Sequence, residues 1–204
     1  SLGIDLIVCA PGYDAAANDI DASVGALNDI GTCFIYEGKV NGATAGSYSM
    51  MTTPRNEIRY QFALTSYAAN GQWFGSGMTT GDWDFDGVSD LVICGFRARN
   101  TDINVSNTGG CFAFLGRADG GMQSSVGYRP NFSGARNTPL ANDSYYSTNT
   151  EAGLSDFGHS VLLTDINNNL RADLIVGQPT GDNFGGPANL GYNSGNVFVI
   201  RGGY

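Results

Sequence analysis

Charge is scarce in this chain of 204 residues, with only 14% of positions being Asp, Glu, Lys or Arg. Basic residues number 10 against 19 acids, a formal net charge of −9. Nucleic-acid binding needs a basic stripe that neutralises phosphates, so no nucleic-acid partner is expected. Histidine occurs once, at His159. It follows a Phe-Gly pair on an expected inner strand, where a packed or surface-satisfied ring is the plainer reading. No Gly-x-Ser-x-Gly elbow is present, which leaves a serine hydrolase without an anchor. A glycosidase needs two carboxyl groups across a cleft. The sequence leaves that pairing open, although the best-placed acids already belong to the loop described below. No catalytic residue is assigned, and the chain reads as non-enzymatic. No apolar run approaches the ~18 residues that cross a bilayer as a helix, so membrane insertion is not expected. No secretory leader is visible before Ser1, as expected of a processed chain or a fragment.

Helical periodicity is missing too, whereas glycine is abundant, at 30 of 204 residues, and aromatics make up 11%. Candidate strands of about four to seven residues are bounded by Gly, Asn, Asp or Pro. Short strands with many turns make an all-β protein. Between two of those strands lies the densest acidic cluster, Asp82, Asp84, Asp86 and Asp90, with Gly87 after the third acid and Leu91-Val92-Ile93-Cys94 following at once. Alternate spacing with a glycine turn folds the acids around one point. Two carboxylates about 4 Å apart repel by roughly 4 kcal/mol at an effective dielectric near 20. Such a loop is poorly stable without a cation. Hard oxygen ligands in a flexible array favour Ca2+ over magnesium, which keeps more water. The expected ligands are the side chains of Asp82, Asp84, Asp86 and Asp90 with the Val88 carbonyl. The alternative is a solvated acidic turn.

The loop recurs. Asp165, Asn167, Asn169 and Asp173 repeat the offset of eight from first to last acid (90−82 and 173−165). With the Arg171 carbonyl they form a second, weaker site, because two carboxylates have become Asn and Leu170 stands where Gly87 was. Phe74-Gly75 and Phe157-Gly158 each begin eight residues ahead of a first Asp (82−74 and 165−157). A third copy starts part-way through the unit, at Asp5-Leu6-Ile7-Val8-Cys9-Ala10-Pro11. The closing acids Asp5, Asp90 and Asp173 lie 85 and 83 residues apart (90−5 and 173−90). Each unit ends on a β-rich run, from Cys33 to Gly38, Cys111 to Gly116 and Val197 to Gly202, so the chain is an internal repeat.

In these residues the chain resembles the FG-GAP repeat family, the blades of the integrin α-subunit β-propeller and of many surface proteins. The family pattern is Phe-Gly, an acidic calcium loop, Asp-Leu-hydrophobic-hydrophobic-Gly-Ala-Pro, and a Gly-flanked aromatic strand. The resemblance touches all three units, about half the chain. Gly-Ala-Pro departs to Cys9-Ala10-Pro11, Cys94-Gly95-Phe96 and Gly177-Gln178-Pro179, and the repeat is longer than usual. The resemblance implies β-propeller-like blades of antiparallel strands. They would form one module over 1–204, with about three repeats at 1–42, 73–120 and 156–204 and long inserts at 43–72 and 121–155.

The cysteines fall in register with this repeat. Cys9 and Cys94 each sit four residues after the closing Asp (9−5 and 94−90), while Cys33 and Cys111 open the aromatic strand. In an antiparallel blade those strands are neighbours, so the expected bridges are Cys9–Cys33 and Cys94–Cys111; four free thiols are the alternative. Disulfides place the chain in an oxidising, extracellular or cell-surface setting. Three sequons, at Asn104, Asn131 and Asn142, suit N-glycosylation there. Trp73 and Trp83 flank the acidic loop, as blade packing or as a sugar-stacking platform.

Closure is the open question. Propellers typically close with about four to eight blades, and three repeats leave open edges that invite pairing. Either the chain continues into further blades, or an insertion strand such as residues 58–64 builds a hidden one, or copies join head to tail into a filament. The function expected is that of a calcium-stabilised structural or adhesion glycoprotein module whose partners are proteins. A carbohydrate-binding propeller lectin, with glycans as partners, is the alternative.

Overall fold

The computed structural model describes residues 5–16, 25–36, 38–40, 48–50, 56–59, 70–98, 107–116, 118, 156–180 and 195–202. Among the described residues are eleven strands and no helix. They are β1 (Leu6–Ala10), β2 (Thr32–Tyr36), β3 (Gly38–Val40), β4 (Tyr48–Met50), β5 (Asn56–Arg59), β6 (Phe74–Gly81), β7 (Asp90–Gly95), β8 (Gly110–Phe114), β9 (Ser160–Thr164), β10 (Asp173–Gln178) and β11 (Asn196–Ile200). Every pairing between these strands is antiparallel, while the isolated bridge from Gly109 to Phe157 is parallel. The strands form three sheets, β1-β2-β5, β6-β7-β8 and β9-β10-β11, plus the hairpin β3-β4. Among the described residues no closed barrel or propeller is seen.

The three sheets share one plan. The strand after each closing Asp (β1, β7, β10) pairs with the aromatic strand of its unit (β2, β8, β11). Register is the same in all three, with Cys9 opposite Cys33, Cys94 opposite Cys111 and Gly177 opposite Val197. In the second and third sheets the Phe-Gly segment leads into the remaining strand, β6 or β9. In the first sheet the third place is taken by β5 on the far side of β2. Thus the described start of the 58–64 strand, one of three candidate ways to close the fold, pairs with β2 and begins no separate blade. Asn56–Arg59, inside the span expected as an insert, add an edge to the first sheet, and residues 60–64 lie outside the described set.

Burial follows from stacking. The second sheet lies between the other two, so β7 is buried along its whole length, Asp-Leu-Val-Ile-Cys-Gly. A strand covered on both faces reads as a continuous apolar run, and this one does. By contrast β11 alternates, with Val197 and Val199 exposed and Phe198 and Ile200 buried, because only one face of the third sheet is covered. One core joins Cys33, Ile35 and Phe74 with Leu91, Ile93 and Phe114 between the first two sheets. The other joins Val92, Cys94, Cys111 and Ala113 with Leu174, Val176 and Phe198. Each fully buried aliphatic side chain contributes about 1.5–3 kcal/mol.

Glycines let the sheets approach. A Cβ on Gly81 would stand 2.7 Å from Leu163 Cδ2, and one on Gly77 would stand 2.7 Å from the Gly158 carbonyl. With that room, Thr79 Oγ1 accepts a hydrogen bond from Leu163 N–H at 3.1 Å, tying β6 to β9. The Phe74 and Phe157 rings anchor the two interfaces. Phe157 meets Phe198 edge-on with centroids 5.2 Å apart, and Phe74 meets Phe114 edge-on at 6.2 Å, the geometry that aromatic quadrupoles prefer.

Candidate metal centre

The turns from β6 to β7 and from β9 to β10 are built by the same side chain to backbone bonds. Asp86 N–H donates to Asp82 Oδ1 at 3.1 Å and to Asp84 Oδ1 at 3.3 Å. Gly87 N–H donates to Asp82 Oδ2 at 2.9 Å, and Val88 N–H to Asp86 Oδ1 at 2.8 Å. In the second loop Asn169 N–H donates to Asp165 Oδ1 at 3.1 Å and to Asn167 Oδ1 at 3.0 Å. Leu170 N–H donates to Asp165 Oδ2 at 2.7 Å, and Arg171 N–H to Asn169 Oδ1 at 2.9 Å. Short Asp and Asn side chains curl the backbone this way because they reach amides two residues on. Left-handed residues also fall at equivalent places. Phe85 and Gly87 have φ of 65° and 82°, while Asn168 and Leu170 have 59° and 69°.

This curl brings Asp82, Asp84 and Asp86 together, with one carboxylate oxygen from each lying within 4.8 Å of the others. Three anionic oxygens at that spacing are a donor set for a hard metal ion. Burial holds the Asp84 carboxyl above its ordinary value of 3.8, and the negative charges of Asp90 and Asp86 add to the effect.

Asp90 stands apart from the triad. Its side chain is buried, and Oδ2 accepts from Trp83 N–H at 2.7 Å and Asp84 N–H at 3.3 Å, while Oδ1 accepts from Gly116 N–H at 2.8 Å. Asp173 repeats the arrangement with Ile166 N–H at 3.1 Å and Gly202 N–H at 3.0 Å. These two acids, expected as ligands, bind the start of each loop to the end of the aromatic strand. A buried carboxylate needs such donors to offset its lost hydration. Burial raises the Asp90 pKa, and its three backbone donors hold part of that rise back. Gly116 and Gly202 lie outside the acidic loops, and their one signal in the sequence is that each ends a repeated aromatic run. Their missing Cβ is required, since one would overlap the Ser89 or Ala172 carbonyl.

The two loops lie side by side, with the Arg171 guanidinium 5.6 Å from the centroid of the exposed Phe85 ring. Val88 and Arg171 join their loops through their N–H groups, which donate to Asp86 and Asn169. Cys9 is joined to Cys33 and Cys94 to Cys111, each with Cα atoms 4.0 Å apart, and no cysteine is free. Two disulfides suit an oxidising environment. Among the described residues no helix is long and apolar enough to cross a membrane. Trp83 is 2% exposed inside the core between the second and third sheets, so it offers no stacking platform. Trp73 lies nearer the surface, 5.7 Å from Phe96, which is 5.7 Å from the exposed His159 ring. Asn104, Asn131 and Asn142 lie outside the described residues. No protein-family model matches the chain, and no curated protein matches it either.

Proposed function

We propose that this chain is a calcium-stabilised module resembling FG-GAP propeller blades, serving as a structural or adhesion element outside the cell. The observation that carries the reading is the pair of loops curled by the same four side chain to backbone bonds, one of which gathers three carboxylate oxygens within 4.8 Å. Calcium sits about 2.3–2.6 Å from its oxygens, so two ligands of one ion are at most about twice that apart, which the triad satisfies. Asp82, Asp84 and Asp86 supply charge, the Val88 carbonyl completes the ring from the position after the turn, and Asp90 holds the loop closed beneath it. In the second loop Asp165 carries the charge with Asn167 and Asn169 as neutral oxygen donors, so that site binds more weakly. Calcium here acts by neutralising repulsion and locking the turn, with no bond made or broken.

Exposed apolar residues on the outermost sheets, Leu6 and Val8 on the first and Val197 and Val199 on the third, support a module that joins others, head to tail or within a larger propeller. The disulfides favour an extracellular or surface location, where the three sequons can carry glycans. The test is thermal melting of wild type and Asp86→Ala with calcium and with chelator. Asp86→Ala lowers Tm in calcium and leaves it nearly unchanged in chelator; equal loss in both means the acids are not a metal site. A carbohydrate-binding reading draws on the Trp73, Phe96 and His159 surface, and a glycan array separates it from the structural one.

A further inference from the structure

Two of the three sheets carry a filled socket, and the third carries the same socket open. At the first interface, Phe74 N–H donates to the Ile30 carbonyl at 3.1 Å. A Cβ on Gly31 would overlap the Phe74 backbone, and one on Gly75 would lie 2.7 Å from Cys9 Cβ and 3.0 Å from Cys33 Sγ. At the second interface a Cβ on Gly109 would overlap the Phe157 backbone in the same way, and one on Gly158 would lie 2.7 Å from Cys94 Cβ and 3.1 Å from Cys111 Sγ. Each socket is therefore a left-handed glycine plus a cross-strand pair, and each is occupied by the Phe-Gly of the next sheet.

The register equivalents in the third sheet are Gly195 and the pair Gly177 and Val197. Gly195 has φ of 75°, against 84° for Gly31 and 77° for Gly109. Among the described residues, however, the nearest atom to a Cβ on Gly195 would be the Pro179 carbonyl at 3.2 Å, a tight contact made by the turn after β10 and not by the backbone of another sheet. Cys33 and Cys111 are 0% and 1% exposed, whereas Val197 is 71% exposed. A groove of about 450 Å³ opens there, lined by His159, Ser160, Gly177, Gln178, Gly195 and Val197 among others.

We infer that this groove is a docking site for the opening Phe-Gly strand of a further repeat of the same kind. The face continues the two interfaces already formed, with the same register, the same left-handed glycine and the same uncovered apolar row. A second copy presenting its first sheet would bring Leu6 and Val8, which are exposed, but no Phe-Gly strand among the described residues. The inference rests on the repeat reading proposed above and is independent of calcium.

The test is a titration of the isotope-labelled full chain with a synthetic peptide of residues 71–81, followed by amide NMR at up to about millimolar peptide. Saturable shifts centred on Gly177, Gly195 and Val197 are expected, lost with the Phe74→Ala peptide. Val197→Arg in the chain abolishes them, and Val8→Arg on the opposite outer face does not. Because both positions are exposed, folding is checked by the unchanged spectrum elsewhere. Absence of shifts, equal shifts from the Phe74→Ala peptide, or persistence in Val197→Arg overturns the inference. So does concentration-dependent self-association that Val197→Arg removes, which gives the face to a second copy. Repeating the titration in chelator separates the readings, since loss of calcium dependence in melting sinks the calcium module and leaves the socket standing.

Discussion

Replacing Asp90 separates a structural acid from a metal ligand. Asp90 is 1% exposed and takes two short bonds, from Trp83 N–H at 2.7 Å and Gly116 N–H at 2.8 Å, and a longer one from Asp84 N–H at 3.3 Å. A hydrogen bond to a charged group contributes about 1.5–3 kcal/mol, so losing the two short ones costs about 3–6 kcal/mol. That is a large share of a typical stability of about 5–15 kcal/mol. Asp90→Ala leaves both donors without their acceptor. Asp90→Asn keeps one oxygen but turns an NH2 group toward the other donor, so about half the loss is expected. With a urea m-value of about 2–3 kcal/mol/M, Asp90→Ala moves the midpoint down by about 1–3 M. The decisive condition is chelator. Backbone bonds persist without metal, so the loss stays nearly the same with and without calcium, unlike that of Asp86→Ala. An Asp90→Ala loss that disappears in chelator would refute the reasoning and return Asp90 to the ligand set.

Leu170 holds φ at 69° while 74% exposed, and a left-handed L residue costs roughly 1–2 kcal/mol. Leu170→Gly is expected to stabilise the chain by about 1 kcal/mol and to strengthen the second loop in calorimetric calcium titration, whereas Leu170→Ala gains nothing; equal behaviour of the two variants speaks against strain. Wild type should show two unequal calcium sites, the tighter lost in Asp86→Ala. Deleting Cys94–Cys111 as a double Ala variant should cost about 3 kcal/mol in urea unfolding, from the loop closed by a separation of 17 residues; an unchanged midpoint contradicts it. Asp84 has a native pKa raised above 3.8, by burial first and neighbouring charges second. A raised carboxyl pKa means the native state keeps its proton longer than the unfolded chain. That group's stability contribution therefore falls as pH rises from 3.8 through the native value. In chelator Asp84→Asn is accordingly expected to melt above wild type at neutral pH and to lose that advantage toward acid pH. An advantage that is independent of pH contradicts the assignment.

Spacing determined the repeat, the all-β class and the two acidic loops, and with the blade arrangement that the resemblance implies it also gave the partners of all four cysteines. These are local or periodic features. A carboxylate two residues from an amide curls a turn wherever it lies, and cysteines at one register position meet whenever neighbouring strands pair. Leu170 was legible for the same reason, since the turn requires a left-handed residue in a place where the sequence offers no glycine. Tertiary structure decided the rest. Asp90 and Asp173 look like Asp82 in the sequence, and only the return of the aromatic strand, ending at Gly116 or Gly202, buries them and directs their oxygens to backbone amides. Trp83 and Trp73 flank the same loop, yet stacking against the third sheet buries one and leaves the other near the surface. Asn56–Arg59 showed no sign of belonging to the first sheet, because pairing with β2 depends on which edge was left free. The open socket at Gly195 was likewise invisible, since an empty site differs from a filled one only in what the neighbouring sheet brings to it.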